Sequence, residues 1–426
     1  MPQVQEYPEA AGSCLRVGIL DHTAALGGGE LALLHFVRRL DRQKFDPVVI
    51  LFSEGPLRDG LSEAGVECRH FPLDSSITNL RKGSLGMRLL FRLPGLLASM
   101  GFVLRLSRYL KSQRIELVHA NSLKSDILGG LAGRLAGVPV IWHVRDRIDS
   151  DYLPPIAARL FRILARIVPT HVITNSNATR ETLRLRDSPG SNRLKNALAA
   201  FATIHDGTEI PSTESEPSPT SGEFLADGPK IGLVGRITPW KGQHIFIKAA
   251  AQVLKACPTA QFQIIGAALF EENDYEQEIR GLVETLGIAG SVQFLGFRTD
   301  VPELISQLHI LVHASTSGEP FGQVIIEGMA AAKPVVATNG GGVPEIVVDG
   351  VTGILVPMGD VTAMAEAIRK LIDNPPLAAK MGQAGRMRAE TCFDIGQTVQ
   401  QIERVYSLFA GADTPNHPVS QTIGAG

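Results

Sequence analysis

The stretch "HILVHASTSGEPFGQVIIEGMAAAKPVVAT", residues 309–338, decides the fold. It opens on a short apolar run and passes through a turn with Gly and Pro. A helical stretch follows, and a second β-branched run closes it. Strand, helix and strand in that order make a crossover unit, whose strands run parallel. Two glutamates punctuate it. Glu319 sits among Gly and Pro ahead of the helix, and Glu327 lies about a turn and a half inside it, within "VIIEGMAAA". A carboxylate in an apolar segment costs free energy unless it is paired or ligated. The rest of the chain has to supply what meets it.

The same rhythm extends in both directions. Before residue 210 the apolar runs are "LRVGIL", "FDPVVILF", "IELVHA", "VPVIWHV" and "THVITNS"; after it they are "KIGLVGR", "AQFQIIG", "VQFLGF", "HILVHAS", "KPVVAT" and "TGILVP". Continuous apolar strands alternating with helices predict parallel sheets covered on both faces. A chain of 426 residues exceeds one ordinary core and predicts two domains of roughly 200 residues each. The expected fold is α/β: two doubly wound, Rossmann-like domains facing each other across a cleft. Residues 15–209 form the first and 230–410 the second, with a last helix free to pack back on the first. Residues 210–229, "IPSTESEPSPTSGEFLADGP", read as a linker. Residues 1–14 and 411–426 read as a flexible arm and a disordered tail.

Composition narrows the class. With 44% hydrophobic and 20% charged residues, disorder is not the default. Cys14, Cys68, Cys257 and Cys392 form no CxxC pair, which argues against a disulfide framework or a zinc site. The first residues lack the charged-then-apolar pattern of a signal peptide, and no uncharged apolar run reaches membrane-spanning length. A cytoplasmic protein is expected, with no nucleic-acid partner. The net charge of −2 conceals an asymmetry: residues 1–210 hold 27 Lys+Arg and 20 Asp+Glu, the remainder 14 and 23. Between Asp74 and Glu116 lie eight cations and no acid: Arg81, Lys82, Arg88, Arg92, Arg105, Arg108, Lys111 and Arg114. "PPIAARLFRILARIVP" repeats Arg159, Arg162 and Arg166 on one helical face. Two readings stand: basic amphipathic helices on an anionic bilayer, or core helices with a solvated basic edge.

Four motifs carry chemistry. In "LVGRITPWKGQ", residues 233–243, a strand ends at Gly235, Arg236 follows, and Lys241 comes five residues later. A planar fork and a point charge at a strand's carboxyl end suit a diphosphate; a solvated turn is the plain alternative. After Glu319, the amides around Phe321 and Gly322 open a helix and can bond oxygens. Glu319 suits sugar hydroxyls and Glu327 the vicinal hydroxyls of a ribose. The alternative is a capping Glu319 and a Glu327 paired to a structural cation. In "GILDHTAALGGGE" a strand runs into Gly27, Gly28 and Gly29 and then a helix, a turn that lets amides approach an anion. Glu54 after the second strand would suit a nicotinamide cofactor's ribose, but the G-x-G-x-x-G spacing is missing. In "PVIWHVRD" His143 ends a strand, followed by Arg145 and Asp146, and His119 and Asn121 end the preceding strand. Structural histidines are the plain alternative here.

Together these motifs resemble the retaining glycosyltransferases of the GT-B fold, family 4, often labelled group 1. "GRITPWKG", "FQIIG", "VQFLGFRTDVPELI", the segment from "GEPFGQVIIEGM" to "GVTGILVP" and the early "GGGE" match the family's pattern in order. The match spans nearly the whole chain and is densest from 230 to 360. The resemblance implies a first domain for the acceptor and a second for a nucleotide-diphosphate sugar, UDP- or GDP-linked. Arg236 and Lys241 would clamp the diphosphate, Glu327 the ribose, and Glu319 with the amides near Phe321 and Gly322 the sugar. Gly28, Gly29 and Gly235 would lie beside the donor, Arg298 would border the base, and His143 would sit beside the reacting carbon. His119 and Asn121 are weaker acceptor contacts. No metal or other cofactor is implied. "DSD", residues 149–151, is read as coincidence, because the surrounding fold is the wrong one for that motif. The family's usual Asn-Gly appears as Asp206-Gly207, which takes the same turn and is expected to change little. Cell-surface polysaccharide or glycolipid synthesis is the implied setting, with a hydroxyl acceptor that a lipid can carry at the inner membrane face. Rival readings on the same fold are a nucleotide-sugar epimerase, a sugar phosphorylase, or a non-catalytic partner subunit of a transferase.

Overall fold

The computed structural model describes residues 14–73, 93–150, 152–184, 200–211, 228–268 and 272–410. The N-terminal arm, most of the linker, the tail, Asp151 and the cations Arg81, Lys82, Arg88 and Arg92 lie outside the described residues.

Among the described residues the first sheet has seven strands: β1 (Leu15–Asp21), β2 (Phe45–Leu51), β3 (Glu67–His70), β4 (Leu117–Ala120), β5 (Val140–Val144), β6 (His171–Thr174) and β7 (Ala200–Thr203). Its helices are α1 (Gly28–Arg39), α2 (Leu57–Glu63), α3 (Leu93–Ser112), α4 (Leu123–Ala136), α5 (Pro155–Leu164) and α6 (Asn177–Leu183). The strands are parallel in the order β3-β2-β1-β4-β5-β6-β7. The apolar runs predict the five inner strands. The two extra strands are the edges: "ECRH" is partly exposed, and so is "AFAT". An edge strand needs no continuous apolar run, which is why both escape a reading of hydrophobicity.

The second sheet has the six expected strands: β8 (Lys230–Val234), β9 (Gln261–Ile265), β10 (Val292–Gly296), β11 (Ile310–His313), β12 (Val335–Thr338) and β13 (Gly353–Val356). They run parallel in the order β10-β9-β8-β11-β12-β13. The helices after the linker are α7 (Gln243–Leu254), α8 (Asn273–Thr285), α9 (Val301–Gln307), α10 (Gln323–Ala330), α11 (Val343–Ile346), α12 (Val361–Ile372), α13 (Pro375–Cys392) and α14 (Ile395–Ser407). Sheet order reverses between β1 and β4 in the first domain and between β8 and β11 in the second. Such reversals leave a crevice at the strands' carboxyl ends.

Each face of the first sheet has its own core. Phe102 and Leu106 of α3, Leu128 of α4 and Phe161 of α5 pack with Trp142 on one side. Leu33 and Phe36 of α1 and Leu57 of α2 pack with Ile19 and Ile141 on the other. The last helix, α14, joins this second core through Ile395, Ile402 and Tyr406. The chain thus returns from the second domain to close the first.

A polar staple ties the domains at the start of α6. The Glu345 carboxylate accepts from the backbone amides of Asn177 (2.9 Å) and Ala178 (2.8 Å), from Asn177 Nδ2 (2.9 Å), and pairs with His205 Nε2 (2.9 Å). These are orphan amides of a helix N-terminus, where a negative charge is favoured. Burial alone would raise this carboxyl, but the His205 bond and the two amides hold it below its ordinary value. Glu345→Ala should lower unfolding stability by about 1–3 kcal/mol and loosen the domain pair. Chemical denaturation with small-angle scattering will check this; unchanged stability and dimensions would refute the staple.

Candidate functional site

The second domain's half of the site forms where β8 and β11 end. Gly235 leaves β8 at φ +151°, Arg236 follows, and a 3-10 turn over Pro239–Lys241 ends at Gly242. A Cβ at Gly242 would lie 1.9 Å from the Ala314 carbonyl oxygen, and its φ is +73°. Only glycine allows that turn to press against the loop after β11. The contact brings Lys241 Nζ to 2.9 Å from both carboxylate oxygens of Glu319. Glu319 is 7% exposed. Its Oε2 also accepts from Ser315 Oγ (2.8 Å) and lies 3.1 Å from His313 Nε2. Burial would raise this carboxyl, but the Lys241 charge and the His313 bond outweigh it and hold it well below the usual range. Arg236 Nε lies 3.5 Å from Glu272 Oε2, which Thr238 steadies by donating to the other oxygen at 2.6 Å.

Glu327, on α10, meets a different environment. Among the described residues no cation pairs with it. Burial pushes its carboxyl up to about 7, against a lowering hydrogen bond from Gln323. The helix itself starts at Gly322, with φ +133°. Phe321 is buried and its ring stacks on His205 at 5.5 Å, so only its backbone can face a ligand. Arg298 is exposed and chelated by Asp300 (Nε to Oδ1 2.7 Å) in the loop after β10, two strands from β8.

The first domain contributes the glycine turn and the ends of β4 and β5. Gly27 caps α1, and Glu30 accepts from its amide at 3.1 Å. A Cβ at Gly28 would lie 3.9 Å from Gln323 Cβ, and one at Gly29 would lie 3.6 Å from Arg145 Cδ. The N-termini of α1 and α10, from opposite domains, therefore converge. Two positive helix ends facing one space favour an anion there.

Arg145 is the hub of this half. It donates to Asn121 Oδ1 at 2.9 Å, pairs with Asp206, and lies 3.4 Å from His143 Nδ1. Asp206 also accepts from Asn175 Nδ2 at 3.3 Å. The Asp206 departure is thus consequential after all: it supplies the countercharge for a buried guanidinium, which a neutral Asn would leave uncompensated. Tyr152 bonds Asp146 and lies in the field of Arg236 and Glu319, and Arg147 donates to the Gly318 carbonyl at 3.1 Å. The loop after β5 therefore faces the Glu319 loop directly. Asp149, first residue of the "DSD", is 3.5 Å from Arg162.

His143 is fully buried. Its Nδ1 is 3.2 Å from His119 Nε2, and His119 Nδ1 is 2.6 Å from the Tyr406 hydroxyl. Burial, with Arg145 nearby, pushes His119 down to about 3 and His143 well below its ordinary value. Both rings are neutral at pH 7. Arg145 can only donate, so His143 Nδ1 accepts and the proton resides on Nε2. That Nε2 has no partner among the described residues. His119 stands behind His143 with both nitrogens engaged and is enclosed by Phe36 and Tyr406. As a correction, it is placed to orient His143, not to touch an acceptor. Asn121 is likewise occupied, donating to Asp21 Oδ2 at 2.8 Å.

The fold recurs in known proteins. Residues 216–388 match the model for glycosyl transferases group 1, and residues 27–194 match the glycosyl transferase 4-like domain. Along the whole fold the chain superposes on HepE of Anabaena, crystallised with UDP and glucose. The TM-score is 0.77 and the identity 30%, covering 92% of this chain and 99% of that one. The chain belongs to the group 1 glycosyltransferases of family 4. EpsD of Bacillus subtilis, a putative glycosyltransferase by name, is 36% identical over 179 residues, 42% of this glycosyltransferase and 45% of EpsD. The matched segment therefore spans about half of that relative. LpsB of Rhizobium meliloti, a lipopolysaccharide core biosynthesis mannosyltransferase, is 27% identical over 280 residues, 62% of this chain and 78% of LpsB.

Several residues of the site lie outside the sequence reading. His313 ends β11 as His143 nears the end of β5, so the strand-end rule that found one applied to the other. Tyr406, Glu345 and Glu272 carried no signal, since each acts from a segment distant in sequence. In isotope-labelled protein, the His143 ring nitrogens should report the Nε2–H tautomer from about pH 5 to 8. Tyr406→Phe should leave that tautomer in place, because Arg145 by itself holds Nδ1 as an acceptor. A His143 that protonates within that range would overturn the relay.

Proposed function

We propose that this chain transfers a sugar from a nucleotide-diphosphate sugar to a hydroxyl acceptor, with retention of configuration and without a metal ion. The observation that carries this reading is the convergence of Arg236, the Lys241–Glu319 pair and the N-termini of α1 and α10 on one space. That is where a diphosphate leaving an anomeric carbon needs positive charge. The complex of HepE with UDP and glucose supports a uridine carrier over guanosine. LpsB, named for lipopolysaccharide core biosynthesis, supports a setting in cell-surface polysaccharide or glycolipid synthesis.

In the proposed reaction Arg236 exchanges Glu272 for donor phosphate oxygens, and Lys241 shares its charge between Glu319 and the diphosphate. Glu319 accepts from the sugar hydroxyls and Glu327 from the ribose. Gly235 adjoins Lys241, and its φ of +151°, not crowding, is what favours glycine there: a Cβ would make only an ordinary 3.9 Å contact with Lys241 Cδ. The neutral His143, with its proton on Nε2, donates to the sugar beside the reacting carbon. The bond from that carbon to the diphosphate breaks while the acceptor oxygen bonds on the same face. The acceptor's proton passes to the departing diphosphate. Arg236 and Lys241 take the charge-neutralising part that a metal plays in other transferases.

Arg236→Ala should reduce kcat by about 100- to 1000-fold; unchanged turnover with UDP-sugars would refute the clamp. Product anomers read by NMR should retain the donor configuration, and inversion would reject the same-face route. Glu327 provides a pH test. Its unliganded carboxyl holds a proton up to about pH 7, whereas a ribose diol donates to the ionised form. Nucleotide binding must then release a proton, so affinity should fall by up to about tenfold per pH unit below that point. Calorimetry in buffers of different ionisation heat will show this, and a flat profile in wild type would remove Glu327 from the ribose site.

A further inference from the structure

Glu319 is held from three strand-end loops, and they do not treat its two oxygens alike. Lys241 Nζ, from the turn after β8, lies 2.9 Å from each. From the end of β11, Ser315 Oγ donates to Oε2 at 2.8 Å, and His313 Nε2 lies 3.1 Å from the same oxygen. His313 Nε2 is also 2.9 Å from Ser315 Oγ, so Nε2, Oγ and Oε2 form a closed triangle. The third support comes from the end of β12 and the loop beyond it. Thr338 Oγ1 lies 3.2 Å from His313 Nδ1, and the Gly342 amide donates to the Glu319 backbone carbonyl at 2.8 Å. His313, Ser315 and Thr338 are all buried.

The protons available decide who donates. The Glu319 carboxyl is held well below the usual range, so it is ionised and only accepts. Ser315 has a single hydroxyl proton, and it is committed to Oε2. An unprotonated His313 Nε2 would face the lone pairs of Oγ and Oε2 with no proton between them, which is costly in a buried place. Nε2 therefore carries a proton and donates into the triangle. Nδ1 meets the Thr338 hydroxyl, which can give a proton or take one. A carboxylate oxygen offers roughly two acceptor sites. With Lys241, Ser315 and His313 all directed at it, Oε2 has no site left. Among the described residues Oε1 meets Lys241 alone and keeps a free site.

We propose that His313, together with Ser315, is a positioning residue for sugar recognition: it commits Glu319 Oε2 to the protein, so that Oε1 by itself accepts from one hydroxyl of the donor sugar. A carboxylate free to rotate would present either oxygen and accept from differently placed hydroxyls. A pinned one selects by the direction of a single O–H. His313 thereby sets how strictly the hydroxyl arrangement of the sugar is read. The proposal rests on the transferase reading, in which Glu319 faces the sugar. A histidine that merely held the loop would weaken every nucleotide ligand alike.

Calorimetry on the full chain separates these two roles. The probes are UDP, UDP-glucose, UDP-galactose and UDP-N-acetylglucosamine. His313→Leu removes the ring donor, and His313→Gln restores an N–H near the place of Nε2. His313→Leu should cut the advantage of the preferred UDP-sugar over UDP by roughly tenfold while changing UDP affinity far less. It should also bring the affinities of the three UDP-sugars closer together. His313→Gln should recover most of the wild-type preference. Should His313→Leu misfold, Ser315→Ala removes the other donor from the triangle and should shift the preference in the same direction. Equal losses for UDP and the UDP-sugars in a folded variant, or an unchanged preference, would overturn the proposal. So would a wild type that binds all three UDP-sugars no better than UDP. A wild type that binds neither UDP nor any of the three would instead remove the transferase reading, and the proposal with it.

Discussion

A carboxylate buried at a strand end is tolerable only because an ammonium group meets it. Lys241 and Glu319 come from the turn after β8 and the loop after β11. Strands β8 and β11 are neighbours at the point where the sheet order reverses. The pair therefore joins the two segments that bound the crevice. Removing either partner would strand the other charge in a poorly solvated place, which costs more than the pair itself contributes. His313 and Ser315 add donors on Glu319 Oε2, and Oε1 carries the Lys241 bond alone. The result is a buried ion pair whose geometry both loops fix at the mouth of the crevice.

The facing half of the crevice is organised by a guanidinium instead. Arg145 binds Asp206, Asn121 and the acceptor nitrogen of His143 at once. Because Arg cannot lose its proton, it forces its neighbours into acceptor roles. That constraint passes through His143 to His119 and ends at Tyr406. The last helix thus acts on the centre of the first domain although its residues follow the second. Glu345 works in the opposite direction, reaching from the second domain to the first turn of α6. Two links of opposite sense hold the domains in register across the crevice.

Legibility in the sequence followed burial. Inner strands of parallel sheets are covered on both faces, so they appear as unbroken apolar runs; all eleven predicted runs became strands, nine of them inner and two, β10 and β13, the edges of the second sheet. The edge strands β3 and β7 are partly solvated and left no such trace. Residues set by local backbone needs were equally readable: Gly242 and Gly322 stand where φ is positive. Side chains whose direction depends on a distant partner were not. Arg162 occupies the same helical stripe as Arg159 and Arg166 in sequence, yet carbonyls at Ile148 and Thr182 draw it inward.

The sequence by itself determined the two parallel sheets, the glycine turns and the spacing that puts Glu319 before a helix and Glu327 within it. These follow from short-range sterics and from the period of apolar residues, which act within a few residues of chain. Only the tertiary structure decided which charges pair, that Asp206 neutralises Arg145, that His119 backs His143, and that α14 closes the first domain. Electrostatic and hydrogen-bond partners act through space over a few ångströms. Here they join residues as far apart as 362 positions in the chain, a distance over which no local pattern carries information.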